Sequence, residues 1–274
     1  MKKFCVIGNP VTHSKSPEIY KYIFNILNIN AQYSMQHIES DKAFKKFILE
    51  TKMYYSGYNI TAPFKDLAYS LVDEIHETVP PLTSINCIKI KDGKLIGYNT
   101  DYYGFKMLMN HQSNMNMENK NFLILGNGST ARTISVVLNN LYNTEIYVWG
   151  RNSNNVQSFI KSMNDESFIT SVFLPYNKNK NKTYTLINCL PINISQDDIN
   201  NIFNSILFKN IELLIDVNYV NNKLKDLLLS MNIKSIFGHD MLLYQALKNL
   251  DIWFDINKSS KIDFTTFKNN IFIK

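Results

Sequence analysis

Asn121-Phe122-Leu123-Ile124-Leu125-Gly126-Asn127-Gly128-Ser129-Thr130-Ala131-Arg132 runs from an unbroken apolar stretch through a glycine-rich turn into helix-forming sequence. A short apolar run ending at a turn signal reads as a buried strand. Beyond the turn, Ile134, Val137, Leu138 and Leu141 recur at the spacing that lines one face of a helix. The turn itself fits the pattern GxGxxA. Gly126 permits the tight turn, Gly128 lets the backbone approach a pyrophosphate, and small Ala131 lets the helix pack on its strand. Free amides at the helix start then hold the anion. Strand, turn and helix in that order separate this fingerprint from a chance pair of glycines. They predict a doubly wound, Rossmann-like α/β domain that binds a dinucleotide through Gly126, Asn127, Gly128, Ser129 and Thr130.

The next strand, Glu145–Trp149, ends in Gly150-Arg151-Asn152. An NAD site places an acid here to hold the ribose hydroxyls, and that acid would repel a 2′-phosphate. This strand end carries none. It carries instead one of only two arginines in the chain, the other being Arg132, and a guanidinium grips phosphate through paired charge-assisted hydrogen bonds. NADP is therefore the expected cofactor, with Gly150, Arg151 and Asn152 at its phosphate end. Further strands over 185–190 and 212–217 end in Asn188-Cys189-Leu190-Pro191 and Asp216-Val217-Asn218-Tyr219. Polar residues at the carboxyl ends of parallel strands are where ligands sit in such sheets.

Toward the amino terminus strand and helix patterns alternate again, which extends the α/β reading with parallel sheets. Residues 4–7 read as a strand, and Ser16-Pro17-Glu18 as a helix start with Ser16 as cap, Pro17 in the first position and Glu18 in the first turn. A strand over 32–38, a helix over 41–51 and a strand over 57–61 follow. A helix ending near Ile75 comes next, and then two short strands, 85–90 and 94–97, joined by the hairpin signal Asp92-Gly93. Residues 111–121 lack apolar periodicity and read as the end of a linking helix plus a loop, whereas 238–250 read as a helix. Two polar knots interrupt this pattern, Asn59-Ile60-Thr61-Ala62-Pro63-Phe64-Lys65 and Tyr98-Asn99-Thr100-Asp101. A lone lysine is ordinarily a solvated charge, and Asn-Thr-Asp ordinarily a capping turn. Placed before a nucleotide-binding signature they look like half of an active site, with an ammonium that gives or takes a proton and a carboxylate that orients it.

The 274 residues suffice for one large domain or two ordinary ones, and a hydrophobic content of 45% supplies the core. The formal charge of +6 is spread over scattered lysines rather than gathered in a stripe, which argues against nucleic acid as a partner and suits small anions. Cys5, Cys87 and Cys189 form no CxxC pair and no cluster with His13, His37, His76, His111 or His239, so no metal is expected and a reducing cytoplasm is. The apolar run at 4–7 is too short for a signal-peptide core, and no run approaches the length of a membrane span.

In these residues and spacings the chain resembles the shikimate dehydrogenase family over essentially its whole length. The resemblance rests on Gly8-Asn9-Pro10 through Ser14-Lys15-Ser16-Pro17, the turn 59–65, Ser84-Ile85-Asn86, Asn99-Thr100-Asp101, the glycine fingerprint, Arg151, the stretch 216–219, and Gly238 with Met241-Leu242 and Gln245-Ala246. It implies NADPH-dependent, reversible reduction of 3-dehydroshikimate to shikimate in aromatic amino-acid biosynthesis. Lys65 and Asp101 would be the acid/base pair. Ser14 and Ser16 would bind the substrate carboxylate, and Thr61, Asn86, Tyr219 and Gln245, with Asn59 nearby, the ring hydroxyls or carboxylate. Val217 and Gly238 would complete the cofactor site. A substrate domain over 1–100, a Rossmann-like NADP domain over 101–236 and a C-terminal helical segment over 237–274 returning to the first domain are implied, with the site in the cleft and closure on binding. The partner is a small molecule and the assembly a monomer or homodimer. Asn127, Gly150 and Asn155 depart from the family pattern around the cofactor, and Cys87, Leu190, Asn193 and Asp240 elsewhere. Two rival readings stand beside this one, a quinate/shikimate dehydrogenase that uses NAD and a catalytically silent NADP-binding metabolite sensor.

Overall fold

The computed structural model describes residues 1–77, 82–111, 120–142, 144–165, 169–177, 181–255 and 257–273. The chain divides into two compact units, Met1–Gly104 with Leu242–Lys274, and Phe105–Met241.

The first unit begins β1 (Lys2–Gly8), α1 (Ser16–Ile26), β2 (Ala31–His37), α2 (Asp41–Thr51), β3 (Gly57–Ile60), α3 (Lys65–Tyr69), β4 (Glu74–Ile75), β5 (Cys87–Lys91), β6 (Lys94–Tyr98) and α4 (Thr100–His111). Its six strands lie in the order β2-β1-β3-β5-β6-β4. β1 pairs in parallel with β2 and β3, while β5 runs antiparallel to both β3 and β6. The β5–β6 hairpin turns where the sequence predicts: Asp92 and Gly93 both take positive φ, at 50° and 76°. The second unit holds β7 (Asn121–Leu125), α5 (Ser129–Leu141), β8 (Glu145–Trp149), α6 (Ser153–Asn164), β9 (Val172–Pro175), β10 (Tyr184–Asn188), α7 (Gln196–Ser205), β11 (Ile211–Asp216), α8 (Lys223–Ser230) and β12 (Lys234–Phe237). All pairings here are parallel, in the order β12-β11-β10-β7-β8-β9. That is the doubly wound order, and its switch point falls between β7 and β10, where ligands enter such sheets. Helix α9 (His239–Phe254) leads the chain back to the first unit, which α10 (Phe264–Phe272) completes.

Aromatic packing explains why the C-terminal helices belong with the N-terminal sheet. Trp253 of α9 stacks on Phe4 of β1 at 4.4 Å and donates its indole N–H to the Ile88 carbonyl. A Cβ at Gly57 would fall 2.4 Å from that indole nitrogen, so the strand can pass under the ring only as glycine. Burial of Trp253, at 2% exposure, together with Phe4, Tyr20 and Phe24 anchors α9 on the sheet; truncating a buried tryptophan costs about 3–5 kcal/mol. In the second unit Leu123, Leu125, Leu186, Leu214, Ile199 and Leu228 make one buried cluster between sheet and helices.

Local expectations are corrected at three places. Helix α1 starts at Ser16 itself, with Lys15 at the cap position and no side-chain capping bond; the Ser14 hydroxyl accepts the Ser16 amide instead, at 3.2 Å. No helix runs to Ile75. Helix α3 has five residues, and Glu74–Ile75 pair with β6, because the Asp73 amide and carboxylate both bond Leu95 and align the chain as a strand. Strand β10 ends at Asn188, which frees Cys189 and Leu190 as loop. The elements α6, α7, α8 and α10 were not drawn from apolar spacing, yet each opens on a side-chain cap, Asn152, Ser195, Asn222 and Asp263, that accepts the amide three residues on. Most of the expected loop at 111–121 lies outside the described residues.

Candidate active site

Lys65 opens α3 directly after the Phe64 ring, which is buried and stacked on Phe44 at 4.7 Å. The Lys65 carbonyl accepts the Ile85 amide, so both ends of this turn are pinned. Asp101 lies in the first turn of α4, where the helix dipole favours an anion. Asn99 accepts the Tyr102 amide and gives its own NH₂ to Ser84, which closes the start of that helix. The outcome is an ion pair: Lys65 Nζ donates to Asp101 Oδ2 at 2.6 Å.

Asn86 is the hub behind this pair. Its carbonyl oxygen accepts the Thr100 amide at 2.6 Å, while its NH₂ lies within hydrogen-bonding distance of Thr100 Oγ1, Asp101 Oδ1 and Gln245 Oε1. Two amide hydrogens facing three acceptors can serve two at a time, so the network has slack for an incoming hydroxyl. Gln245 spends its carbonyl on Asn86, and its NH₂ has no partner among the described residues. Asn59 reaches the hub from β3 by donating to the Asn86 main-chain oxygen and accepts the Tyr33 hydroxyl at 2.8 Å. Ser16 lies beside that phenol, and burial pushes the Tyr33 hydroxyl well above its usual pKa. Ser14, Ser16, Asn59, Asn86, Lys65, Asp101 and Gln245 thus all belong to the first unit. Thr61 is held there too, by its amide on the Ile7 carbonyl. Tyr219 stands in the second unit, beyond the end of β11.

Sequence reasoning missed the layer beneath. Asn249, 1% exposed, accepts the Thr100 hydroxyl at 2.7 Å and donates to the Tyr20 hydroxyl at 3.0 Å. It sits one helical turn beyond Gln245 on α9, a spacing that places both on one face and was available as a signal. Tyr33 carried only the weaker signal of strand alternation.

In the second unit Gly126 has φ of +106°, the left-handed region that glycine alone enters freely. Its amide bonds the Trp149 carbonyl, drawing the turn over β8. Gly128 is the N-cap of α5, and a Cβ there would meet nothing within 4 Å. Open space at the amide end of a helix that begins with Ser129 and Thr130 is the cradle a pyrophosphate needs, so the residues fit the cofactor. Gly238 is tight instead: a Cβ would fall 2.0 Å from the Val217 carbonyl oxygen, which fixes the loops after β11 and β12 against each other. Asp216 Oδ1 accepts from the Asn188 side chain and from the amide and side chain of Asn218, and Asn218 also donates to the Leu190 carbonyl. These bonds stitch the ends of β10 and β11 together beside Val217. Asn152 is occupied as the cap of α6. The Asn127 carbonyl oxygen lies 3.2 Å from where a Gly150 Cβ would be, so those two residues share one small space. Arg151 pairs with Asp198 of α7 at 3.0 Å; the acid absent from the end of β8 is supplied by another element. Among the described residues no group of His, Cys, Asp and Glu could hold a metal ion, and no helix is long and apolar enough to cross a membrane.

A doubly wound parallel sheet with a glycine turn at its switch point, joined to a second α/β unit bearing a lysine–carboxylate pair, defines a nicotinamide-dependent oxidoreductase. Residues 6–88 match the family model described as the shikimate dehydrogenase substrate binding domain. The chain is 30% identical over 274 residues to the shikimate dehydrogenase (NADP(+)) of Clostridium perfringens, covering 96% of this chain and 97% of that one. Its fold is similar to that of shikimate dehydrogenase 1 from Peptoclostridium difficile, with a TM-score of 0.78, 25% identity and coverage of 100% and 98%. A shikimate dehydrogenase crystallised with NADP+ is likewise similar, with a TM-score of 0.80, 25% identity and coverage of 99% and 94%. The chain belongs to the shikimate dehydrogenase family.

Proposed function

We propose that this chain reduces 3-dehydroshikimate to shikimate reversibly with NADPH, a step of aromatic amino-acid biosynthesis, and that Lys65 and Asp101 carry its proton chemistry. The observation that carries the reading is the 2.6 Å Lys65–Asp101 pair in a member of this family. Residues 126–130 would hold NADPH, which when bound would supply a hydride for C3. Lys65 as an ammonium stabilises the negative charge that grows on the C3 oxygen and donates its proton there. Asp101 holds the ammonium in line and accepts a hydrogen bond from the substrate. In the oxidative direction neutral Lys65 takes the hydroxyl proton back. Ser14 and Ser16 bind the ring carboxylate near the start of α1, where an anion is favoured. Thr61, Asn86, Gln245 and Tyr219, with Asn59 behind them, orient the ring hydroxyls. The three free cysteines support a reducing, cytoplasmic setting, in which the chain works as a monomer or homodimer.

The test follows nicotinamide absorbance with shikimate and NADP+, and in parallel with quinate and NAD+. Rapid NADP+ reduction by shikimate is expected. Comparable rates with quinate and NAD+ would move the chain to the quinate/shikimate group, and tight NADPH binding without turnover at any pH would make it a silent sensor.

A further inference from the structure

The Arg151–Asp198 pair combines two groups that pull cofactor choice in opposite directions. Arg151 follows β8 and Asp198 lies in the first turn of α7, which follows β10. Because β8 and β10 flank β7 in the sheet, the pair bridges the loops on either side of the glycine turn. The two partners are unequal. The Arg151 side chain is 67% exposed, whereas that of Asp198 is 13% exposed. Asp198 is also tied down, since its amide donates to the Ser195 Oγ at 3.1 Å and the Ser195 side chain bonds the carboxylate in return. That bond first, and the neighbouring guanidinium after it, hold the carboxyl below its ordinary pKa, and the helix start adds to this. Asp198 is therefore a fixed anion at neutral pH.

On the cofactor reading above, we propose that Asp198 is a specificity-determining residue that opposes the 2′-phosphate, so that the Arg151–Asp198 pair, and not Arg151 alone, sets the preference between NADPH and NADH. A 2′-phosphate gripped by Arg151 would have to share its guanidinium with a carboxylate that Ser195 holds in place. An unphosphorylated ribose meets no such repulsion, and its hydroxyls can donate to the same carboxylate. Arg151 supplies the attraction and Asp198 limits it.

The experiment measures dissociation constants of NADPH and NADH by nicotinamide fluorescence, without substrate, for the wild-type chain and Asp198→Asn, at low and high salt. Removing the charge is expected to tighten NADPH about three- to tenfold at low salt, with NADH unchanged or weaker, and the gain should shrink at high salt. Arg151→Ala serves as the opposite control and should weaken NADPH selectively. NADPH binding that is unchanged or weaker in Asp198→Asn would overturn the proposal, the weaker case meaning that Asp198 only orients Arg151. Thermal unfolding of the variant guards against a lost helix start, and Asp198→Ser, which keeps a short polar side chain beside the Ser195 cap without the charge, must reproduce the NADPH gain. A wild-type chain that binds neither dinucleotide would sink the cofactor reading and this proposal together, whereas NADPH binding with no response to Asp198→Asn sinks the proposal alone.

Discussion

Lys65 Nζ sits 2.6 Å from Asp101 Oδ2 across 36 positions of sequence, with the two side chains only 13% and 10% exposed. A pair this sealed is held for chemistry or for folding, and substitution separates the two. Lys65→Ala should lower kcat by about 10²–10⁴, the usual contribution of a positioned acid, while NADPH affinity measured by fluorescence is retained. Turnover near the wild-type rate would refute the assignment.

Asp101→Ala leaves the Lys65 ammonium in a nearly closed site. Breaking a buried pair from one side costs about 3–5 kcal/mol, and the residual exposure places this one toward the lower figure. Urea titration should show Lys65→Ala/Asp101→Ala to be more stable than Asp101→Ala, because the double variant carries no largely buried ammonium deprived of its carboxylate. An Asp101→Ala chain as stable as wild type would mean that the lysine's remaining contacts satisfy its charge.

Asn249→Leu keeps the branched side-chain skeleton and removes both bonds beneath the hub, to Thr100 and to Tyr20. Tyr20 keeps its bond to the Ala246 carbonyl and Thr100 keeps Asn86, so the loss is that of two buried hydrogen bonds at about 0.5–1.5 kcal/mol each, about 1–3 kcal/mol together. Since Thr100 bonds Asn86 and Asn86 bonds Asp101, kcat should fall as well, with NADPH affinity untouched. A loss of stability at full kcat would confine Asn249 to the core.

Two glycines of the cofactor unit should respond in opposite ways. Gly128→Ala has room for its methyl group in the ligand-free chain, so thermal unfolding stays near wild type while NADPH binding weakens, because the methyl fills the space the pyrophosphate needs. Gly238→Ala drives a Cβ to within 2.0 Å of the Val217 carbonyl, and the backbone must move, at a cost of about 1–3 kcal/mol. Equal melting temperatures for the two variants would contradict this.

Burial pushes the Asp216 carboxyl above its ordinary value of 3.8, although Asn218, Lys225 and Asn188 all act against the shift. A raised carboxyl binds its proton more tightly in the folded state, so the folded state loses stability as pH rises from the unfolded value through the folded one. Asp216→Asn does not titrate and keeps an acceptor for Asn188 and Asn218. Its stability relative to wild type, measured by urea unfolding, should therefore improve from about pH 3 to pH 7. A difference that is flat with pH, or that narrows, would show the shift to be absent.

Much of the site was legible because short-range chemistry wrote it. The glycine turn needs Gly126 at positive φ and an unhindered Gly128, and only glycine meets both demands, so the strand–turn–helix reading fell where the structure places it. The hairpin at Asp92 and Gly93 was legible for the same reason. Ser16 was not. Pro17 and Glu18 mark a helix start, but which neighbouring hydroxyl takes the free amide depends on backbone angles, and Ser14 takes it. The pairing of Glu74–Ile75 with β6 is likewise invisible locally, because two residues gain strand geometry only from a partner.

The sequence by itself determined the alternation of strands and helices, the dinucleotide turn, and which residue types were on hand for acid–base chemistry, since each follows from spacing and side-chain type within a few positions. Tertiary structure alone decided the partners. It set Lys65 on Asp101, Asn249 under Thr100, Trp253 over Gly57, and Asp198 against Arg151, the acid that the end of β8 lacks. Those pairings span 36, 149, 196 and 47 positions. At such separations geometry comes from sheet order and helix packing, which no local pattern of residues encodes.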